Sequence, residues 1–152
     1  MILQPMQKFI YLGLICALSF WFAKVEIQIE GTDGWAKNLP TWRVENHWLL
    51  KIFFGGRAMT GYHAWVISFI FLLFHIPVAF TDQWSLAFEG RVLGGFILFW
   101  IFEDFLWFVL NPGYGIKKFK KEFISWHPNW VMLAPVEYWV FCPIGFSLIF
   151  FC

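Results

Sequence analysis

The chain has 152 residues, of which 60% are hydrophobic, 24% aromatic and only 14% charged, with a mean hydropathy of +0.63. A soluble domain is about half apolar and about a quarter charged, so a water-facing surface could not cover these side chains and a soluble fold is excluded. The formal net charge of +1, with no broad basic face, argues against a nucleic-acid partner.

A bilayer core about 30 Å thick needs about 20 mostly apolar residues in a helix, and four stretches meet the requirement. They predict an all-α integral membrane domain with spans over 9–29, 62–80, 92–110 and 130–151. The first follows Lys8, but no small-residue cleavage site comes after it, so it reads as an anchor and not a removed signal. Glu26 and Glu30, four residues apart where this span emerges, read as interfacial. Cys16, Cys142 and Cys152 sit in apolar runs without metal-ligand spacing and read as small buried hydrophobes.

Lysine and arginine in the loops set orientation. The segment between the first two spans carries Lys24, Lys37, Arg43, Lys51 and Arg57, and that between the last two carries Lys117, Lys118, Lys120 and Lys121. These are nine of the eleven basic residues. They predict cytoplasmic long loops, outer termini and residence in the plasma (inner) membrane. Within the first loop, Thr41 as a cap and the alternation of Trp48, Leu49, Ile52 and Phe53 with Arg43, Glu45 and Lys51 predict an interfacial helix over 42–54. Gly55-Gly56 ends it and Thr60 can cap the second span. Asn111-Pro112-Gly113 stops the third span, and the lysine-rich segment after it suits either solvent or an anionic leaflet.

Ionisable groups inside a span cost about 2.5–3.5 kcal/mol each and persist where they face other helices, water or a ligand. Glu103 and Asp104 lie about 12 Å from the Asn111 end of the third span, at 1.5 Å per residue. Glu137, eight residues from Asn129, lies at matching depth in an antiparallel fourth helix. Glu103 and Trp107 share a helix face, as do Asp104 and Asn111. Pro135, read as interior to the fourth span, would free the carbonyl of Val131, as Pro143 would that of Trp139 and Pro77 that of Leu73. Converging carboxylates call for a cation or proton; His63, Arg57, Lys24 or a metal ion are the candidates, with His47 and His127 placed to close over the site and His75 too far along its helix. No HxxH, HxxxH or ExxH spacing appears, and no metal ligands are assigned.

The 21 Phe, 11 Trp and 4 Tyr exceed what interfacial anchoring needs. Rings inside the bundle suit a lipid, an isoprenoid or another apolar molecule, and equally suit lipid-facing bulk. The stretches EDFLWFVLNP and PVEYWVF resemble the acid–aromatic motifs of small membrane lycopene cyclases over fewer than a dozen residues. The paired glutamate of those motifs is here Glu137 followed by Tyr138, and no family is assigned.

The expected function is binding, with transformation as an extension, of a lipophilic or small ligand at an intramembrane carboxylate site near the cytoplasmic side. Glu103 is the leading acid/base residue, Asp104 and Glu137 tune it, His63 is its proton partner, and Asn111, Trp107 and Tyr138 bind the ligand. No cofactor is named. The alternatives are a structural subunit, with a membrane-protein partner or a second copy of the chain, and a proton or ion pathway.

Overall fold

In the computed structural model, which describes residues 5–152 except the side chains of Ile52 and Phe53, the chain is mostly helical. Three segments are long and apolar enough to cross a membrane: α1 (Pro5–Glu30), α3 (Gly61–His75) with its 3-10 continuation to Phe80, and α4 (Leu86–Leu110). Helix α1 ends at Gly31, whose φ of +71° suits glycine and whose N–H donates to the Ile27 carbonyl at 2.9 Å. Thr60 caps α3 by accepting the His63 N–H, as the sequence predicts. Ser85 caps α4 through the Phe88 N–H, so α4 begins at Leu86 and not at Val92; Asn111 ends it.

Two expected helices are shorter than the sequence implies. The fourth, α5, spans Val136–Phe151; its 16 residues reach about 24 Å, against a hydrocarbon thickness of about 30 Å. A helix cannot run back through Pro135, which lacks the N–H and crowds the preceding turn. Instead β3 (Trp130–Val131) and β4 (Ala134–Pro135) form a tight antiparallel hairpin. Pro135 therefore precedes the helix and frees no Val131 carbonyl, whereas Pro143 does lie inside α5. Pro77 sits at the start of the 3-10 turn that ends α3. The interfacial helix expected over 42–54 shrinks to α2 (Trp48–Phe53), capped by His47. Asn46, at φ +58°, breaks the path, and β1 (Arg43–Val44) pairs with β2 (Met59–Thr60) to clip the loop shut. Thr41 consequently serves α3, accepting the Tyr62 N–H at 3.1 Å.

Helix α4 is the central element, packed extensively on α1 and α5 and more lightly on α3. The α1 contact stripe runs through Ile15, Ser19, Ala23, Glu26 and Glu30, all buried, and Ser19 donates to the Phe99 carbonyl at 3.0 Å. The α4–α5 crossing uses small residues, as membrane helices do. A Cβ at Gly94 would lie 2.8 Å from the Gly145 carbonyl oxygen, and one at Gly145 would lie 2.7 Å from Leu98. One core layer gathers Ile15, Ile70, Leu98, Phe99 and Ile149; a second gathers Ala23, Ile27, Trp107, Phe108 and Ile124 at the end carrying both long loops. Outward faces carry large apolar side chains such as Leu14, Trp21, Phe69, Leu72 and Trp139, which lipid would cover. Cys16 also faces outward and is exposed.

Candidate functional site

Between the two core layers lies a cavity of about 250 Å³. Its walls change character along α4. Phe96, Ile97, Trp100 and Ile101, with Ile67 of α3 and Phe141 of α5, make an apolar wall. One to two turns further toward the loops, about 10 Å from Phe96 to Glu103, the lining becomes polar. There Glu103 and Asp104 of α4 meet Glu26 and Glu30 of α1, His63 of α3, and Glu137 and Tyr138 of α5. Both long loops turn inward over this end, and Trp35, Arg57, Trp126 and His127 complete the lining.

The loops are held there by specific contacts. Asn111, 1% exposed, donates from Nδ2 to the Gly31 carbonyl at 2.8 Å and accepts the Gly113 N–H at 2.9 Å, tying the loops to each other. Gly34, Trp35 and Ala36 run consecutively through positive φ (+64°, +49° and +51°), a costly path for the two non-glycine residues that persists where surroundings over-determine it. Here Ala36 N–H donates to Glu30 Oε1 at 2.5 Å and Trp35 Nε1 donates to the Ala58 carbonyl at 2.8 Å. The Trp35 ring stacks on His63 at 3.9 Å, and the Arg57 guanidinium lies 4.2 Å from its centre. In the second loop, Trp126 stacks on Phe108 at 5.7 Å and Trp130 Nε1 donates to the His127 carbonyl at 2.7 Å.

The polar lining divides into two clusters. In the first, His127, 2% exposed, reaches from the loop to Asp104: Nε2 is 3.2 Å from Oδ2, and Nδ1 is 3.9 Å from Glu137 Oε2. Tyr138 donates to the same Asp104 oxygen, and Arg57 Nη1 lies 3.5 Å from His127 Nε2. Burial alone would lower the His127 pKa, but the charge and hydrogen bond of Asp104, with Glu137, outweigh it and raise it above the ordinary value. Burial lowers that of Arg57, against the opposing pull of Asp104 and Glu137. Asp104 and Glu137 thus stand against His127 and Arg57 as a compact group of opposite charge types with a phenol attached, in which His127 Nδ1 and both Glu137 oxygens keep no hydrogen-bond partner.

The second cluster is acid-rich. Glu26 and Glu30 are 6% and 8% exposed, His63 6% and Glu103 2%. His63 Nε2 stands 3.6 Å from Glu30 Oε1 and Nδ1 2.7 Å from Thr60 Oγ1. Glu103 makes a carboxyl–carboxyl hydrogen bond with Glu26, while its Oε1 has no hydrogen-bond partner. Trp100 Nε1 and Trp107 Nε1 are likewise buried without partners. Orphaned polar atoms lining a common space mark where a ligand or ordered water belongs.

The residues singled out by sequence therefore divide. Asp104, Glu137 and Tyr138 come together around His127, whereas Glu103 and His63 fall in the other cluster with Glu26 and Glu30; Trp107 lines the shared cavity. Asn111 lies outside the cavity lining and fastens the loops. Glu26 and Glu30, read as interfacial, are buried: the stripe of Ile15, Ser19 and Ala23 that faces α4 continues into them, a signal present in the sequence. Lys24 is exposed, His47 caps α2, and His75 pairs with Glu89 at 2.9 Å, so none reaches the cavity. Comparison with protein-family models, characterised proteins and solved structures finds no match to this chain.

Proposed function

We propose that this protein binds an amphiphilic molecule within the bilayer, with the polar head at the acid and imidazole groups and the apolar part along Phe96, Trp100 and Phe141. The observation that carries this proposal is the graded lining of one cavity, polar at the loop end and apolar toward mid-bundle. A volume of about 250 Å³ is smaller than most ligand pockets, which run from about 300 Å³. Helices α3 and α5 share no substantial contact although both line the cavity, so a longer tail can leave between them into lipid. In this arrangement α5 is a short fourth span and the loop end faces the cytoplasm, as the lysine distribution favours. A head group seated against Tyr138, Asp104 and His127 has a proton donor and acceptor at hand, which supports acid–base chemistry on it.

The test is to purify the full chain from membranes in mild detergent and measure the amphiphile released per chain. Phe141→Trp, which fills the apolar wall, is expected to abolish occupancy. Glu137→Gln removes a carboxylate hydrogen-bond acceptor worth about 1.5–3 kcal/mol, roughly tenfold or more in affinity, and Glu103→Gln removes the carboxyl paired with Glu26, a hydrogen-bonding group worth about 0.5–1.5 kcal/mol. Folded variants that all retain wild-type occupancy contradict the proposal.

A further inference from the structure

The acid-rich cluster has the composition and geometry of a cation site. We propose that Glu26, Glu30 and His63 bind a divalent transition-metal ion of the manganese, iron or zinc class, with Glu103 beside it. One donor atom from each of the three lies within 4.8 Å of the others, and all three residues are buried. Three donors about 2.1 Å from one ion lie at most about 3.6 Å from one another, the spacing that His63 Nε2 and Glu30 Oε1 already have, so the remaining donor closes in by roughly 1 Å to complete a common centre. The helices favour this: Glu26 and Glu30 are one turn apart on α1 and His63 lies in the first turn of α3.

The imidazole is already oriented. Nδ1 lies 2.7 Å from Thr60 Oγ1, and in the tautomer that donates this hydrogen bond Nε2 presents its lone pair toward Glu30, whose Oε1 is 3.6 Å away. A cation bound there would satisfy both groups, and metal-binding histidines are commonly fixed by a hydrogen bond from the other nitrogen. Trp35, stacked at 3.9 Å, holds the ring plane. Glu103 supplies an independent observation. It is 2% exposed, its carboxyl contacts Glu26, and its Oε1 has no hydrogen-bond partner. Among the described residues no lysine or arginine forms an ion pair with these three glutamates. An imidazole among carboxylates favours a transition metal over calcium or magnesium, which take oxygen ligands.

The ion would sit at the polar end of the cavity, and its binding does not depend on what fills the apolar end. The test uses Co²⁺ alone, titrated into the chelator-stripped full chain in detergent and followed by its visible absorption. One tightly bound Co²⁺ per chain is expected. Glu30→Gln and His63→Ala are expected to lose it, and Glu89→Gln, at the opposite end of the bundle, to retain it. Thr60→Val is expected to weaken binding about 10- to 100-fold by releasing the imidazole, with Thr60→Ser restoring it. Should the ligand variants fail to fold, X-ray absorption on the Co²⁺-loaded wild type still decides: an oxygen shell with one imidazole is expected. No stoichiometric binding, binding unchanged in both ligand variants, or a shell without imidazole overturns the site.

Discussion

Asp104→Ala is expected to destabilise the folded chain by about 3 kcal/mol, the lower end of what breaking a buried ion pair costs. The low end applies because the Asp104 side chain keeps 26% of its surface, along the cavity, whereas His127 keeps 2%. Without this carboxylate, a buried imidazolium and the adjacent Arg57 guanidinium lose their principal counter-charge, and Tyr138 loses its acceptor. Asp104→Asn keeps an acceptor for Tyr138 and removes only the charge, so its loss is expected to be smaller. The pH dependence gives a second readout. Because the folded protein holds the His127 proton above the ordinary value of 6.5, this contribution is fully present below 6.5 and is lost as pH rises through the elevated folded value. Thermal unfolding in nanodiscs should show wild-type stability falling over that range. The Asp104→Ala profile should be flatter there. An Asp104→Ala protein as stable as wild type would contradict the ion-paired cluster.

Gly94→Val is expected to cost about 1–3 kcal/mol by overpacking the α4–α5 crossing. Its Cβ would meet the Gly145 carbonyl oxygen at 2.8 Å and Leu148 Cβ at 2.9 Å. A backbone oxygen cannot rotate out of the way as a side-chain end can, so α5 has to move. Since α5 carries Glu137 and Tyr138, that displacement also loosens the Asp104 cluster two to three turns away. The matched control is Gly13→Val on α1, where an added Cβ has nothing within 4 Å. Unfolding temperatures that fall for Gly94→Val and stay put for Gly13→Val support the crossing. Equal effects at both positions would contradict it.

Much of the helical layout was legible because hydropathy and caps act locally. Thr60 and Asn111 mark helix ends by their own side-chain chemistry. Helix α4 starts at Leu86, before the apolar run that begins at Val92, because its first turns carry Glu89 and Arg91. The structure accommodates them, pairing Glu89 with His75 and letting Arg91 donate to the Cys152 carbonyl. Hydropathy does not distinguish the apolar hairpin over 130–135, whose Met132 and Leu133 are exposed, from a span, and Pro135 acts as a helix stop where its sequence context equally suits a kink.

The site was legible in part. Buried acids on α4 and at the start of α5 stood out against apolar neighbours, and their involvement with tyrosine and histidine follows from the cost of isolating them. Glu26 and Glu30 sit near a span end, where acids are ordinarily interfacial, and only the i, i+4 stripe they extend signals their burial. The role of His127 depends on a loop path fixed by contacts distant in sequence, such as Asn111 to Gly31, which no local pattern encodes.

Nitrogen-15 NMR of histidine-labelled protein in lipid bilayers reports directly on whether a loop imidazole is clasped between helix carboxylates. His127 is predicted to carry protons on both ring nitrogens at pH values above its ordinary 6.5, and to become neutral there in Asp104→Asn. A wild-type His127 that is already neutral at pH 6.5, or one that titrates identically in Asp104→Asn, would show that the loop does not close over the cavity as described.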